Sequence, residues 1–396
     1  MPEKNFAKDV EFLRCHVETI VLKNDEGAAV AIVPQYQGRT MTSTSEFESG
    51  QSYGYINYDP IASDEISAVI NLYGGEDRVW ISPEGGQFSI FFDPQVEMSF
   101  ENWRTPKALD TEAFDIVEQT EHMVRLTRKA TFTNWTGTQF NTQIDREVRL
   151  LNRSKAKDHL GLELDDLQVC AHESHNTLTN LGPDSWRPET GLIGIWMLCM
   201  SKPSPNATLV VPFAADNGEV LNSIGDGEIV NADYFGKLES DRLKVDREHK
   251  LIFFLGDGQH RSKLGLMFNR VTNRLGSWDP ERGVLSIVEF NLPSEAPHGY
   301  NNNLWEMQDQ PYAGDVINCY NDGLNESGSS LGAGGFYEME TISPALALAA
   351  NESYTHIHRT IRMEALPSSP TSQLQLEQVA QHVFGVSLQQ IANQFA

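Results

Sequence analysis

A run of short apolar segments, each closed off by turn residues, limits this chain to few folds. Ala28–Val33, Met123–Thr133, Thr142–Leu150, Leu209–Phe213, Leu251–Leu255, Val284–Phe290 and Ala345–Leu348 are rich in β-branched or aromatic residues. Many alternate apolar and polar residues, the period of a strand with one buried face. Between them stand Asn24-Asp25-Glu26-Gly27, Asn217-Gly218, Asp226-Gly227, Asp257-Gly258 and Asn321-Asp322-Gly323, all turn formers. No βαβ spacing and no fixed-period repeat interrupts the pattern, so the chain is expected to be all-β, a large antiparallel sandwich. Helical signals are few. One short helix is expected within residues 3–14. Ser372 to Phe395 carries Leu374, Leu376, Val379, Val383, Phe384, Leu388, Ile391 and Phe395 near helical spacing, with Gly385 as a break. Leu366–Ser372 reads as a linker. Residues 1–365 are therefore expected to form the β domain. Residues 366–396 are expected to form a linker and a short C-terminal helical extension packed on the body, with a partner's surface as the alternative.

Charge narrows the function. With 55 acidic residues against 30 basic ones the formal net charge is −25, which argues against nucleic acid and against anionic membranes as partners. No stretch approaches the roughly 20 apolar residues of a membrane span. The polar start, Met1–Phe6, lacks an apolar signal core. The chain is expected in the cytoplasm, or in the periplasm if a signal peptide has been removed. The isolated Cys15, Cys170, Cys199 and Cys319 form no C-x-x-C pair and read as buried free thiols. Neither a G-x-S-x-G nor a Walker or dinucleotide glycine pattern is present, and no cofactor or metal is implied.

Four polar constellations carry candidate chemistry. Gly74-Gly75-Glu76-Asp77-Arg78-Val79-Trp80-Ile81-Ser82-Pro83-Glu84-Gly85-Gly86-Gln87-Phe88 mixes glycines, which allow close backbone approach, with groups suited to a polyhydroxylated ligand. A tight turn before a core strand is the plainer alternative. His172-Glu173-Ser174-His175-Asn176 is too polar for an interior strand. It offers two histidines that titrate near neutrality, either of which is a candidate proton donor; its plainer alternative is a hydrogen-bonded loop. Residues 301–323, with Trp305 and Tyr312, alternate amides, carboxylates and aromatics in a way that suits sugar hydroxyls and ring faces. In Phe336-Tyr337-Glu338-Met339-Glu340-Thr341 a strand puts Glu338 and Glu340 on one face. At least one of them needs a raised pKa or a cationic partner there, which makes the pair a candidate general base. His356 and His358 share a later strand face, where neighbours rather than a metal usually satisfy such pairs.

On these segments the chain resembles the galactose-mutarotase-like (aldose 1-epimerase-like) superfamily. Ile32–Arg39 is similar to the early strand and turn of the epimerases. Asn176–Gly182 is similar to the segment that carries their general acid. Glu338–Pro344, followed by Leu348–His356, is similar to the segment of their catalytic glutamate. The Gly-Gly-Glu-x-Arg and Pro-Glu-Gly-Gly-Gln-Phe signatures resemble an uncharacterised bacterial group within that superfamily. The resemblance implies an antiparallel β-supersandwich and a small-molecule or oligosaccharide substrate. It implies general acid/base chemistry with Glu340 as base and His175 as acid. Arg78, Glu84, Gln87, Glu173, Asn176, Trp305 and Glu338 would hold the sugar. Two departures stand out: Glu84 occupies the place of the epimerases' histidine before the diglycine, and Asn176 falls at or beside that of their acid. A non-catalytic carbohydrate-binding protein, or a lyase or hydrolase on the same scaffold, is the alternative.

Overall fold

The structure, a computed structural model, describes residues 5–47, 49–63, 65–214, 229–236, 238–324, 328, 330, 335–367 and 369–395. The turns expected at Asn217-Gly218 and Asp226-Gly227 lie outside the described residues. Strands pair antiparallel throughout the described residues and form three sheets. The large sheet runs Leu243–Asp246, Leu251–Leu255, Thr208–Pro212, Arg274–Asp279, Val284–Phe290, Ser353–Ala365, Leu167–Asn180, Gln139–Leu151, Met123–Thr133, Asp115–Gln119. The second sheet runs Ser262–Met267, Asp315–Asn321, Tyr337–Ile342, Gly194–Leu198, Arg78–Ser82, with Met200–Ser201 also paired to Tyr337–Ile342. A small sheet of Ile20–Lys23, Ala29–Val33 and Arg39–Thr44 carries the helix Phe6–His16. Phe6, Val10 and Leu13 of that helix pack on Ala29, Ala31 and Val33.

Alternation builds the sandwich. Val124, Leu126, Ile144, Val148 and Leu178 of the large sheet share one apolar cluster with Val79, Ile81, Ile195, Met197, Ile317 and Met339 of the second sheet. Each such side chain is worth about 1.5–3 kcal/mol when fully buried. The opposite face of the second sheet is left free for a site. The opposite face of the large sheet is partly covered by the helices Pro370–Phe384 and Leu388–Ala392. There Leu376, Val379, Ala380, Phe384 and Ile391 pack against Val169, Phe253, Trp278, Ile287 and Ile361. Ser369 caps the first helix by accepting from Ser372 N at 3.2 Å, and Gly385 ends it at φ +73°.

Three expectations are corrected. Ala345–Leu348 is no strand: Pro344 has no N–H to give, Ala345 N donates to Gly299 O, and only Leu346 bridges, to Ile193. Cys15 is exposed, while the other three cysteines are buried and free. The polar stretch 171–180 lies within Leu167–Asn180, paired on both sides inside the large sheet. It is stable there because its inward side chains are met by charges from the second sheet's loops, as described below. No helix among the described residues is long and apolar enough to cross a membrane.

Candidate functional site

Along Tyr337–Ile342 the period of two sends Met339 and Thr341 toward the large sheet and Glu338 and Glu340 to the other face. Register then assembles the rest. Tyr320 stands opposite Glu338 and Asn318 opposite Glu340; Lys263 stands opposite Tyr320 on the next strand. On the other flank Arg78 pairs with Leu198 and Trp80 with Trp196. Glu338, Glu340, Tyr320, Lys263, Arg78, Trp80 and Trp196 line a cleft of about 690 Å³, which loops complete with Glu84, Trp103, Asn303 and Trp305. Gly85 lets two of those loops touch, since a Cβ there would lie 2.2 Å from Leu304 O. Glu84 N donates to Asn303 Oδ1 at 2.8 Å across the same junction.

The cleft holds three carboxyl groups in an aromatic frame. Glu338 Oε1 accepts from Arg78 Nη2 at 3.0 Å. Glu340 Oε2 accepts from Trp196 Nε1 at 2.9 Å and from Lys263 Nζ at 3.1 Å. Burial pushes Glu338 up to about 7; Arg78 and Lys263 oppose the shift and Glu340 adds to it. Burial likewise pushes Glu84 up to about 7, against Lys263 and with Glu340. Trp103 stacks on Phe91 at 5.7 Å and on Trp305 at 5.8 Å between ring centres, and Trp80 meets Trp196 edge-on at 5.7 Å. Such flat faces suit sugar rings.

Glu84 therefore carries a testable load. Its folded pKa lies above its ordinary 4.5, so the stability it allows is full below about pH 4.5 and is lost as pH rises through about 7. Gln does not ionise. Glu84→Gln is expected to be more stable than the wild type at pH 8 by about 1–2 kcal/mol, after allowance for screening by cleft solvent. At pH 4 the difference should vanish. Urea unfolding at the two pH values checks this, and an equal or lower midpoint at pH 8 would contradict it.

Of the residues singled out from sequence, Arg78, Glu84, Trp305, Glu338 and Glu340 come together in the cleft. The other four do not. His175 and Glu173 lie on the outer face of the large sheet, with His175 Nε2 2.9 Å from Glu173 Oε1 and Glu173 also bound by Arg359 at 2.6 Å. Two sheets, whose usual spacing is about 10 Å, separate them from Glu340. His175 as the acid partner of Glu340 is thus corrected, because it follows the outward half of a strand alternation. Asn176 points inward but not into the cleft: it is buried between the sheets, where its Oδ1 accepts from Arg146 Nη1 at 2.5 Å. Gln87 closes two loops, donating to Gln308 O at 2.8 Å and accepting from Gln308 N at 3.0 Å. Lys263, Trp103, Trp196 and Arg261 line the cleft without belonging to any motif, and Trp80 lines it from within the Gly74–Phe88 segment. Trp80 stands two residues after Arg78 and so shares its strand face, a sequence signal the other four lack.

Beneath the cleft lies a buried polar layer. Asp77 Oδ1 pairs with Arg146 Nη2 at 2.7 Å, both side chains fully buried. Glu76 pairs with Arg362 and lies 3.3 Å from His172 Nε2. Thr341 Oγ1 sits 2.9 Å from both His356 Nε2 and His358 Nδ1. Burial lowers these histidines to about 3 and about 4, so both are neutral at pH 7. Among the described residues no cluster of three or more His, Cys, Asp or Glu side chains could hold a metal ion.

Fold and site together define an antiparallel β-supersandwich protein with an aromatic, carboxyl-lined cleft on the face of its second sheet. The sequence matches over residues 4–395 a family described as a family of unknown function (DUF6786), and the chain belongs to that family. No curated protein matches it. Similar solved structures include a galactose mutarotase-like protein from Lactobacillus casei ATCC 334, at 12% identity and TM-score 0.49, covering 88% of this chain and 100% of that one. Another is the Slr1438 protein from Synechocystis sp. PCC 6803, at 12% identity and TM-score 0.48, covering 87% and 96%. A third is a galactose mutarotase related enzyme from Lactobacillus acidophilus, at 8% identity and TM-score 0.44, covering 89% and 99%.

Proposed function

We propose that the protein is a carbohydrate-active enzyme that interconverts the anomers of a sugar by general acid/base chemistry in this cleft. The observation that carries the reading is the meeting of three carboxyl groups with four tryptophans in one cleft, two of the carboxyls pushed up to about 7. Groups with pKa values near the working pH make efficient proton-transfer catalysts. Glu340 takes the proton of the anomeric hydroxyl while Glu84 gives its proton to the ring oxygen, and the C1–O5 bond breaks. The carbonyl turns. The ring oxygen then attacks its other face, returning its proton to Glu84, and Glu340 gives its own proton to the new hydroxyl. Glu84 takes this role in place of His175 because it lines the cleft with Glu340 and forms no ion pair among the described residues.

The test is to add freshly dissolved single anomers of common aldoses and follow equilibration by NMR. Acceleration over buffer is expected, with a rate that falls as pH rises above about 7, where Glu84 loses the proton it must give. Glu84→Gln should remove that alkaline limb along with most of the rate. One observation favours a second reading, non-catalytic sugar binding: Glu338 and Glu340 are each closed by an ion pair. Saturable binding with no acceleration for any sugar that binds would decide for it.

A further inference from the structure

We propose that the cleft takes a sugar bearing an anionic substituent, and that Arg261 is the residue that meets it; this rests on the carbohydrate reading of the cleft. The argument is one of charge matching. Three cations line the cleft: Arg78, Arg261 and Lys263. Arg78 is matched by Glu338 at 3.0 Å and Lys263 by Glu340 at 3.1 Å. Arg261 has no ion pair and no side-chain hydrogen bond among the described residues, and its Nε is buried without a partner.

Glu84 is the cleft acid that Arg261 feels: the guanidinium pulls its carboxyl down against burial, but no ion pair joins the two among the described residues. The Arg261 guanidinium instead lies over the ring of Phe235, 4.8 Å from its centre, and that ring is 48% exposed. A guanidinium stacked in this way keeps its N–H fork free at the edge, the geometry that receives a carboxylate or phosphate with two hydrogen bonds. The chain as a whole carries a net charge of −25, so its long-range field repels anions. A cation with no ion pair among the described residues, inside the cleft, is therefore a local device for holding one. It sits at the Phe235–Tyr320 side of the cleft.

Calorimetric titration of the full chain with D-galactose, D-glucose, D-galacturonate, D-glucuronate and D-glucose 6-phosphate tests this. The uronates or the phosphate should bind about 10–100-fold more tightly than the neutral sugars, and whichever of the two classes does so identifies the anion. Arg261→Gln should abolish that preference, and Arg261→Lys should keep part of it. Circular dichroism confirms that each variant is folded. Neutral sugars binding as tightly as the anionic ones, or a preference that survives in Arg261→Gln, would overturn the inference and leave the carbohydrate reading standing. Failure of all five to bind would overturn both.

Discussion

Glu340→Gln is expected to slow sugar turnover by about 10²–10⁴-fold, the usual worth of a positioned acid or base, and to leave the dissociation constant of the same sugar within about threefold. The amide keeps an oxygen where Oε2 now accepts from Trp196 and Lys263, so the frame around the residue is retained. What is lost is the ability to take a proton. Loss of rate at unchanged affinity is the signature of an interaction made only in the transition state. Glu338→Gln should behave differently. In the proposed reaction it moves no proton, and its bond to Arg78 holds that guanidinium at the cleft wall, so it serves binding and shape. Its loss should weaken binding more than it slows the bound sugar. Single-turnover NMR of anomer exchange together with calorimetry separates the two cases. Full turnover in Glu340→Gln would remove it as the base.

Part of this site was legible in the chain because its chemistry is local. Glu338 and Glu340 two apart on a strand, or Pro83-Glu84-Gly85-Gly86 at a close loop crossing, can be read from neighbours alone. Lys263 cannot. It lies in Ser262–Met267, an otherwise ordinary strand, and reaches Glu340 only because Asp315–Asn321 intervenes between the two strands. Such pairings, formed across long stretches of chain, leave no periodic mark in either segment. The same holds in reverse for His172-Glu173-Ser174-His175-Asn176. As sequence, its polarity argues for a loop. In the fold its outward members form a charged ladder with Arg359 and Arg149, and its inward members meet Glu76, Asp77 and Arg146 between the sheets. A polar stretch becomes a central strand when its partners are buried with it, and two of those partners, Glu76 and Asp77, come from the Gly74–Arg78 loop.

That loop makes the largest stability prediction. Asp77 immediately precedes Arg78, and its carboxylate is tied to Arg146 of the large sheet with both side chains fully buried. Gly75, at φ +109°, allows the turn, since a Cβ there would lie 2.4 Å from Arg39 Cδ. Asp77→Ala leaves the Arg146 guanidinium buried without its counter-charge, which costs about 3–5 kcal/mol for pairs of this kind. Burial by itself would raise the Asp77 pKa; Arg146, with His358 and His172, outweighs burial and holds it below its ordinary 3.8. A folded-state pKa below the unfolded value gives stability that is present above about pH 3.8 and is lost as pH falls through the lower folded value. The deficit of Asp77→Ala measured by urea unfolding should therefore be full at pH 7 and shrink below pH 4. Replacing both partners, Asp77→Leu with Arg146→Met, should recover much of the loss, because two apolar side chains leave no orphan charge. The double variant should still bind sugar less well than the wild type, since Arg78 has lost the rigid neighbour that aims it at Glu338. If Asp77→Ala costs under about 1 kcal/mol, the pair does not hold the loop, and the aim of Arg78 must come from Trp80 and Glu338 alone.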